Sequence, residues 1–138
     1  MNYQDSKKLP AVMENIREAM RFATSFAATM KLPPDRIMSL EMSVEEALVN
    51  IVKYAYPAAA GYFEVSCRLS PENKIIVEIS DEGIPFDVLA KADPDVTLGV
   101  EERKVGGLGI YLMKKLMDEV SYRRENGRNI LTLTIMRK

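Results

Sequence analysis

The sequence predicts a two-layer α/β sandwich, with helices packed on one face of a mixed or antiparallel sheet. Three observations carry this prediction. Two stretches of helical periodicity open the chain. Two pairs of strand-like segments follow, each pair joined by a tight turn. A glycine-led apolar helix stands between the pairs.

Residues 10–31 place Val12, Ile16, Met20, Ala23, Ala27 and Met30 at helical spacing, which reads as one amphipathic helix. Leu32-Pro33-Pro34-Asp35 breaks it. Pro34 and Asp35 suit the first turn of a second helix, because proline needs no amide there and Asp complements the dipole. That helix is expected over 34–55, with Ile37, Leu40, Val44, Leu48, Ile51 and Ala55 as its main apolar stripe. Met42, Ala47 and Val49 lie off the stripe, so the helix should be largely buried. Tyr56-Pro57 ends it.

Residues 62–69 alternate, with Phe63, Val65, Cys67 and Leu69 on one side and Tyr62, Glu64, Ser66 and Arg68 on the other. A turn at 71–74 leads into a second strand at 74–80, with Ile75, Val77 and Ile79 inward, and the two should pair antiparallel. Residues 82–105 are irregular, and a loop of this length in a compact domain is usually functional. Residues 109–119 present Ile110, Leu112, Met113, Leu116 and Met117 on a broad helical face. Strands at 120–125 and 130–136 flank Asn126-Gly127, a strong hairpin signal.

The chain has 138 residues, 47% hydrophobic and 28% charged, which fits one globular domain spanning 1–138. A net charge of −1 argues against a general nucleic-acid binder. Arg123, Arg124, Arg128, Arg137 and Lys138 crowd the C-terminal end and read as solvated strand faces. Cys67 is the one cysteine, so no internal disulfide can form, and its alternation marks it as core. The absence of histidine removes histidine bases, ligands and phospho-acceptors. Nothing approaches the roughly 20 apolar residues that span a bilayer, so a cytoplasmic protein without membrane contact is expected.

Three features carry chemistry. Glu46 and Asn50 are four apart on a helix and share a face. A carboxylate and a carboxamide on so apolar a helix are costly to bury without partners, and a hydrated Mg²⁺ could supply one. Taken alone, the pair also fits a solvated helix face. Lys53, one turn beyond, could neutralise a phosphate or simply face solvent. Asp81-Glu82-Gly83-Ile84-Pro85-Phe86-Asp87 follows a buried strand. Asp81 there can accept a hydrogen bond from an amino group such as adenine's, and Gly83 lets a ligand approach the backbone; a plain turn fits as well. Val105-Gly106-Gly107-Leu108-Gly109-Ile110 runs into a helix, where exposed amides and the helix dipole suit an anion. A hinge before a helix is the other reading. The run is neither a Walker A sequence nor a dinucleotide fingerprint.

In this order and spacing, the three motifs together resemble the GHKL ATP-binding superfamily, whose domain is the Bergerat fold. Glu46-Ala47-Leu48-Val49-Asn50 is similar to its N box, Asp81 to Asp87 to its G1 box, and Gly106-Gly107-Leu108-Gly109-Ile110 to its G2 box. The Pro-Phe-Asp and Gly-Gly-Leu-Gly-Ile forms, with the tail 127–133, resemble the anti-sigma-factor serine/threonine kinase branch. The resemblance covers roughly residues 10–138.

The resemblance implies ATP and Mg²⁺ as cofactors. It implies Glu46 as general base, Asn50 as Mg²⁺ ligand, Asp81 as reader of the adenine amino group with Gly83 beside the base, and Gly106, Gly107, Leu108 and Gly109 around the phosphates. Lys53 joins the nucleotide-binding set, and 87–105 becomes the ATP lid. Family members phosphorylate a serine or threonine on a small STAS-type antagonist (the anti-anti-sigma protein) and silence a sigma factor, often as homodimers. Two other readings use the same motifs: a non-catalytic ATP-dependent binding switch, and the catalytic domain of a two-component sensor kinase acting in trans. The sequence departs from the family in three places. Lys53-Tyr54 stands where many members have a histidine. The family's first strand has only a weak counterpart in residues 1–9. Asn129 stands where relatives often carry a threonine near the adenine, and no role passes to it.

Overall fold

The computed structural model describes residues 4–90 and 107–137. Its elements are strand β1 (Gln4–Pro10), helices α1 (Ile16–Thr29) and α2 (Pro34–Asn50), strands β2 (Tyr62–Leu69) and β3 (Lys74–Asp81), helix α3 (Gly107–Leu116), and strands β4 (Glu119–Glu125) and β5 (Arg128–Met136). The sheet order is β1-β2-β3-β5-β4. Every neighbouring pair is antiparallel, so the expected alternative of a mixed sheet resolves to the antiparallel one.

The sandwich forms because each strand is apolar on one side. Phe63, Val65 and Cys67 of β2, Ile75, Val77 and Ile79 of β3, and Leu131, Leu133 and Ile135 of β5 are all buried. They share one core with Ile16, Ala19, Ala23 and Ala27 of α1, Leu40, Val44 and Leu48 of α2, and Ile110 and Met113 of α3. Full burial of a side chain such as Leu40 or Leu48 contributes about 1.5–3 kcal/mol.

Residues 4–10 are the clearest departure at the N-terminus. The sequence shows a weak strand there and a helix from residue 10. Instead Gln4 to Pro10 pair along β2, from Gln4 opposite Arg68 to Pro10 opposite Tyr62. The edge strand buries little; Leu9 and Lys7 are only half-buried and the rest is exposed, so the apolar alternation that marks a strand is missing. Lys7 faces the helices and pairs with Glu18 at 2.8 Å. The helix then begins at Ile16, after a single 3-10 turn at Met13–Asn15.

The end of α1 is fixed by a Schellman arrangement. Lys31 takes the left-handed conformation at φ 70, and Leu32 N–H donates to Ala27 O at 3.0 Å. Buried Leu32 completes the cap. Pro34 opens α2, as its fixed φ and missing amide predict.

Helix α2 packs between α1 and α3, which explains apolar residues on more than one side. It is less buried than its composition suggests: Ala47 is inside, but Met38 and Met42 are exposed. Its last turn, Ile51–Ala55, winds as a π-helix, a local widening often found at functional sites.

The two hairpins behave as their turn residues dictate. Asn73 sits at φ 68, and Asn126 and Gly127 sit at φ 53 and 77, the left-handed pair of a type I′ turn. The C-terminal arginines are more engaged than solvated faces require. Arg128 bonds Glu64 at 2.9 Å and also Ser80, Arg123 reaches Glu78 at 3.3 Å, and Arg124 donates to Gly83 O at 2.8 Å. Lys138 lies outside the described residues. Among the described residues no helix is long and apolar enough to cross a membrane.

Candidate nucleotide site

A cleft opens where the C-terminal end of α2 meets the ends of β3 and β5. Ile51, Ala55, Ile79 and Leu131 form apolar walls, and Val88 and Phe86 complete them. Four polar side chains interrupt this lining: Asn50, Asp81, Tyr122 and Asn129. An apolar slot with a few fixed polar groups suits a flat heterocycle that carries an amino group.

Asp81 is the last residue of β3 and is only 6% exposed. Its Oδ1 accepts from Gly83 N–H at 2.8 Å and from Asn129 Nδ2 at 2.9 Å. Both bonds fall on one oxygen, so Oδ2 carries neither. Burial raises the Asp81 pKa above 3.8, opposed by the Asn129 and Gly83 bonds and by the charges of Arg124 and Arg128.

Asn50 and Glu46 lie together on α2, as their spacing requires. Asn50 Nδ2 donates to Glu46 O at 2.8 Å and to Glu46 Oε2 at 2.7 Å. With its NH₂ turned to Glu46, the carboxamide oxygen is left for another partner. On its other side Glu46 meets the first turn of α3: a Cβ built on Gly109 would lie 2.1 Å from Glu46 Oε1. The N-box and G2-box residues are therefore in contact, although 63 positions separate Glu46 from Gly109 (109 − 46).

At Gly83 the structure shows a close approach within the protein itself. A Cβ there would stand 2.2 Å from the carbonyl oxygen of Ala55, and Ile84 N–H donates to that same oxygen at 2.9 Å. The close approach that requires glycine is made by the end of α2. Lys53 is exposed and does not line the cleft. Leu108 is half-buried at the start of α3. Gly106 and most of the expected lid, residues 91–105, lie outside the described residues; Val88–Ala90 forms a 3-10 turn.

Three residues to which the sequence reading assigned no role support the site. Asn129 fills four hydrogen bonds beside Asp81. Tyr122 donates its hydroxyl to Asn129 Oδ1 at 2.6 Å. Tyr56 donates to Tyr62 O at 2.6 Å and accepts from Glu82 N–H at 2.8 Å, holding the chain just after Asp81. The resemblance had marked position 129 as a departure; the pairing of β3 with β5 shows that Asn129 stands opposite Asp81.

Residues 9–135 match the histidine kinase-like ATPase domain family. The chain belongs to that family. Membership of this family implies ATP use. The serine-protein kinase RsbW of Bacillus licheniformis is 34% identical over 127 residues, covering 87% of this chain and 78% of that protein. RsbW of Bacillus cereus is 30% identical over 128 residues, with 90% and 79% covered. Among solved structures, the RsbU and RsbW domains of a Mycobacterium tuberculosis protein superpose with a TM-score of 0.68 at 16% identity, over 98% of this chain and 32% of that one. The histidine kinase domain of a blue-light activated kinase from Erythrobacter litoralis superposes at 0.57, also at 16% identity, over 86% of this chain and 61% of that one. These two likenesses concern the fold alone.

Proposed function

We propose that this chain is an ATP-dependent serine/threonine protein kinase, an anti-sigma-factor-type regulator that phosphorylates a STAS-type antagonist protein in the cytoplasm. The observation that carries the reading is the Glu46 carboxylate. It is held by Asn50 on one side and touches the first turn of α3 on the other. A carboxylate so placed can take a proton from an acceptor hydroxyl, as a kinase requires. Similarity to the serine-protein kinases RsbW supports the same activity.

In this reading adenine enters the apolar slot with its amino group on Asp81. The phosphates lie at the amino end of α3, where the helix dipole attracts anions, and Gly106, Gly107, Leu108 and Gly109 are the residues this reading assigns to them. Lys53 adds positive charge to the phosphate side. Asn50 offers its carboxamide oxygen, a hard donor of the kind Mg²⁺ takes. No cluster of three His, Cys, Asp or Glu side chains able to hold a metal occurs among the described residues, which suits an ion that arrives with its phosphates. Bound there, Mg²⁺ neutralises phosphate charge. The acceptor hydroxyl gives its proton to Glu46 while its oxygen bonds the γ-phosphorus, and the bond to the β–γ bridging oxygen breaks to release ADP. A sigma factor is the second partner, and a homodimer is the assembly.

The test supplies purified protein and γ-labelled Mg-ATP to extract of the source cells, beside a Glu46→Gln control that still binds ATP. A small protein labelled on serine or threonine by the wild type alone supports the kinase. Confirmed ATP binding with no Glu46-dependent label, in extract that contains the partner, turns the assignment to a non-catalytic switch.

A further inference from the structure

We propose that Arg36 is a positioning residue for Glu46: its ion pair with Asp118 pins α3 in register along α2, and that register holds Gly109 against the carboxylate. The inference rests on the kinase reading above. It adds to that reading a residue about 15 Å from Glu46 along the helix, at about 1.5 Å per residue.

The pin is a small knot of bonds. Arg36 stands in the first turn of α2. Its Nη2 donates to Asp118 Oδ2 at 2.7 Å and to Met136 O at 3.3 Å. Met136 N–H donates to the same carboxylate oxygen at 2.6 Å. Asp118 N–H donates to Thr134 O at 2.9 Å, and Met117 N–H still bonds Met113 O at 3.0 Å, so Asp118 is tied closely to the end of α3. The start of α2, the end of α3 and the end of β5 thus meet in one place.

The other end of the same interface is the Glu46–Gly109 contact. Between the two ends, Met42, Ser43, Leu112, Met113 and Leu116 line one groove. Numbers rise along α3 as they fall along α2, so the helices run antiparallel and the two contacts close opposite ends of their interface. The middle is largely apolar, and apolar contact is non-directional. It holds the helices together without fixing how far one has slid along the other. A directional bond at the far end supplies that. A slip of one residue would carry Gly109 about 1.5 Å along Glu46. A misplacement of about 1 Å, even from a change far from the chemistry, can cost about a hundredfold in rate.

The pair is poorly suited to stability alone. Its side chains are 29% and 36% exposed, and ion pairs in contact with water contribute little. Arg36 Nε is buried and has no hydrogen-bond partner among the described residues, a cost the guanidinium would escape by swinging into water. The bonds to Asp118 and Met136 O keep it in place. The neighbouring Lys74–Glu119 pair, at 3.3 Å, joins β3 to β4 and involves no residue of α2.

The experiment compares wild type, Arg36→Met, Arg36→Lys and Asp118→Asn. Each is melted, titrated with Mg-ATP by calorimetry, and assayed for label transfer from saturating γ-labelled Mg-ATP into extract of the source cells. NMR follows the cross-peak between Gly109 Hα and Glu46 Hγ. Arg36→Met should melt within a few degrees of wild type and bind ATP within a few-fold. It should lose the cross-peak, and transfer should fall by about tenfold or more. Arg36→Lys can still reach Asp118 and should recover most of both. Asp118→Asn keeps an acceptor for Met136 N–H but loses the charge; it should follow Arg36→Met, and carries the test if that variant does not fold. Undiminished transfer in a folded Arg36→Met or Asp118→Asn would overturn the inference, as would a wild-type cross-peak in either. A lower melting temperature with both readouts at wild-type level would leave the pair a stabilising contact only, and overturns it too. A wild type that binds ATP but labels nothing would overturn the kinase reading instead, and the cross-peak alone would then decide whether Arg36 sets the register.

Discussion

Gly109 and Glu46 touch: a single carbon added to Gly109 would lie 2.1 Å from Glu46 Oε1 and 2.3 Å from its carboxyl carbon. The glycine therefore sets where the carboxylate stands. This contact separates an effect on catalysis from an effect on folding, because what must give way is the end of a flexible side chain.

Gly109→Ala is expected to leave the melting temperature nearly unchanged. Ala is also the better helix former, by about 1 kcal/mol. Phosphoryl transfer should nonetheless fall, by about tenfold or more, as Glu46 is pushed from its place beside the acceptor. A melt and a transfer assay on one preparation check it; unchanged turnover would show that the contact does not position the base.

Glu46→Gln keeps the size of the side chain and the partner of Asn50 but cannot take a proton. ATP affinity should stay within a few-fold of wild type, while transfer drops by about 10²–10⁴, the usual worth of a general base. Equal losses in binding and transfer would instead make Glu46 a ligand-holding group.

Asp81→Asn should trade function for stability. The Asp81 carboxyl is raised above 3.8 in the folded chain by burial, so the native state holds that proton more tightly than the unfolded state. The stability this brings is full below 3.8 and is lost as pH rises through the raised native value. The neutral variant escapes that loss. Its melting temperature should match wild type at low pH and exceed it at neutral pH, while ATP affinity falls. Melts across pH decide it; a gap that narrows as pH rises contradicts the burial argument.

Gly83→Ala should act on the fold. Its Cβ would meet the Ala55 carbonyl oxygen at 2.2 Å, and that backbone oxygen is already held by Ile84 N–H. Relief requires the end of α2 to move away from the turn, at a cost of about 1–3 kcal/mol. Denaturant unfolding measures this. Wild-type stability with weakened ATP binding would instead show Gly83 acting as a ligand neighbour.

Cys67 is a probe of global unfolding. It is fully buried on β2, and desolvation pushes its thiol up to about 12. Alkylation by iodoacetamide should be negligible in native protein and rapid in denaturant, since the thiolate is the nucleophile. Labelling under native conditions at a rate well above global unfolding would reveal local opening of the β1–β2 edge.

The sequence by itself determined the layers and the motifs. Alternation in 62–69 and 74–80 and the helical stripe of Leu40, Val44 and Leu48 are local periodicities that map onto buried faces, and the Asn126-Gly127 turn is a local signal for the hairpin. Glu46 and Asn50 were legible as a pair because helix geometry alone places residues four apart together. Tertiary structure decided the rest. β1 became a strand only by borrowing the edge of β2, since its own residues lack alternation. The approach of Gly83 to Ala55 and the bond from Asn129 to Asp81 appear only in the tertiary structure, because both depend on which segments fold against each other. The pairing of β3 with β5 across an intervening helix and strand is set by burial of the whole sheet face, and no short stretch of sequence encodes it.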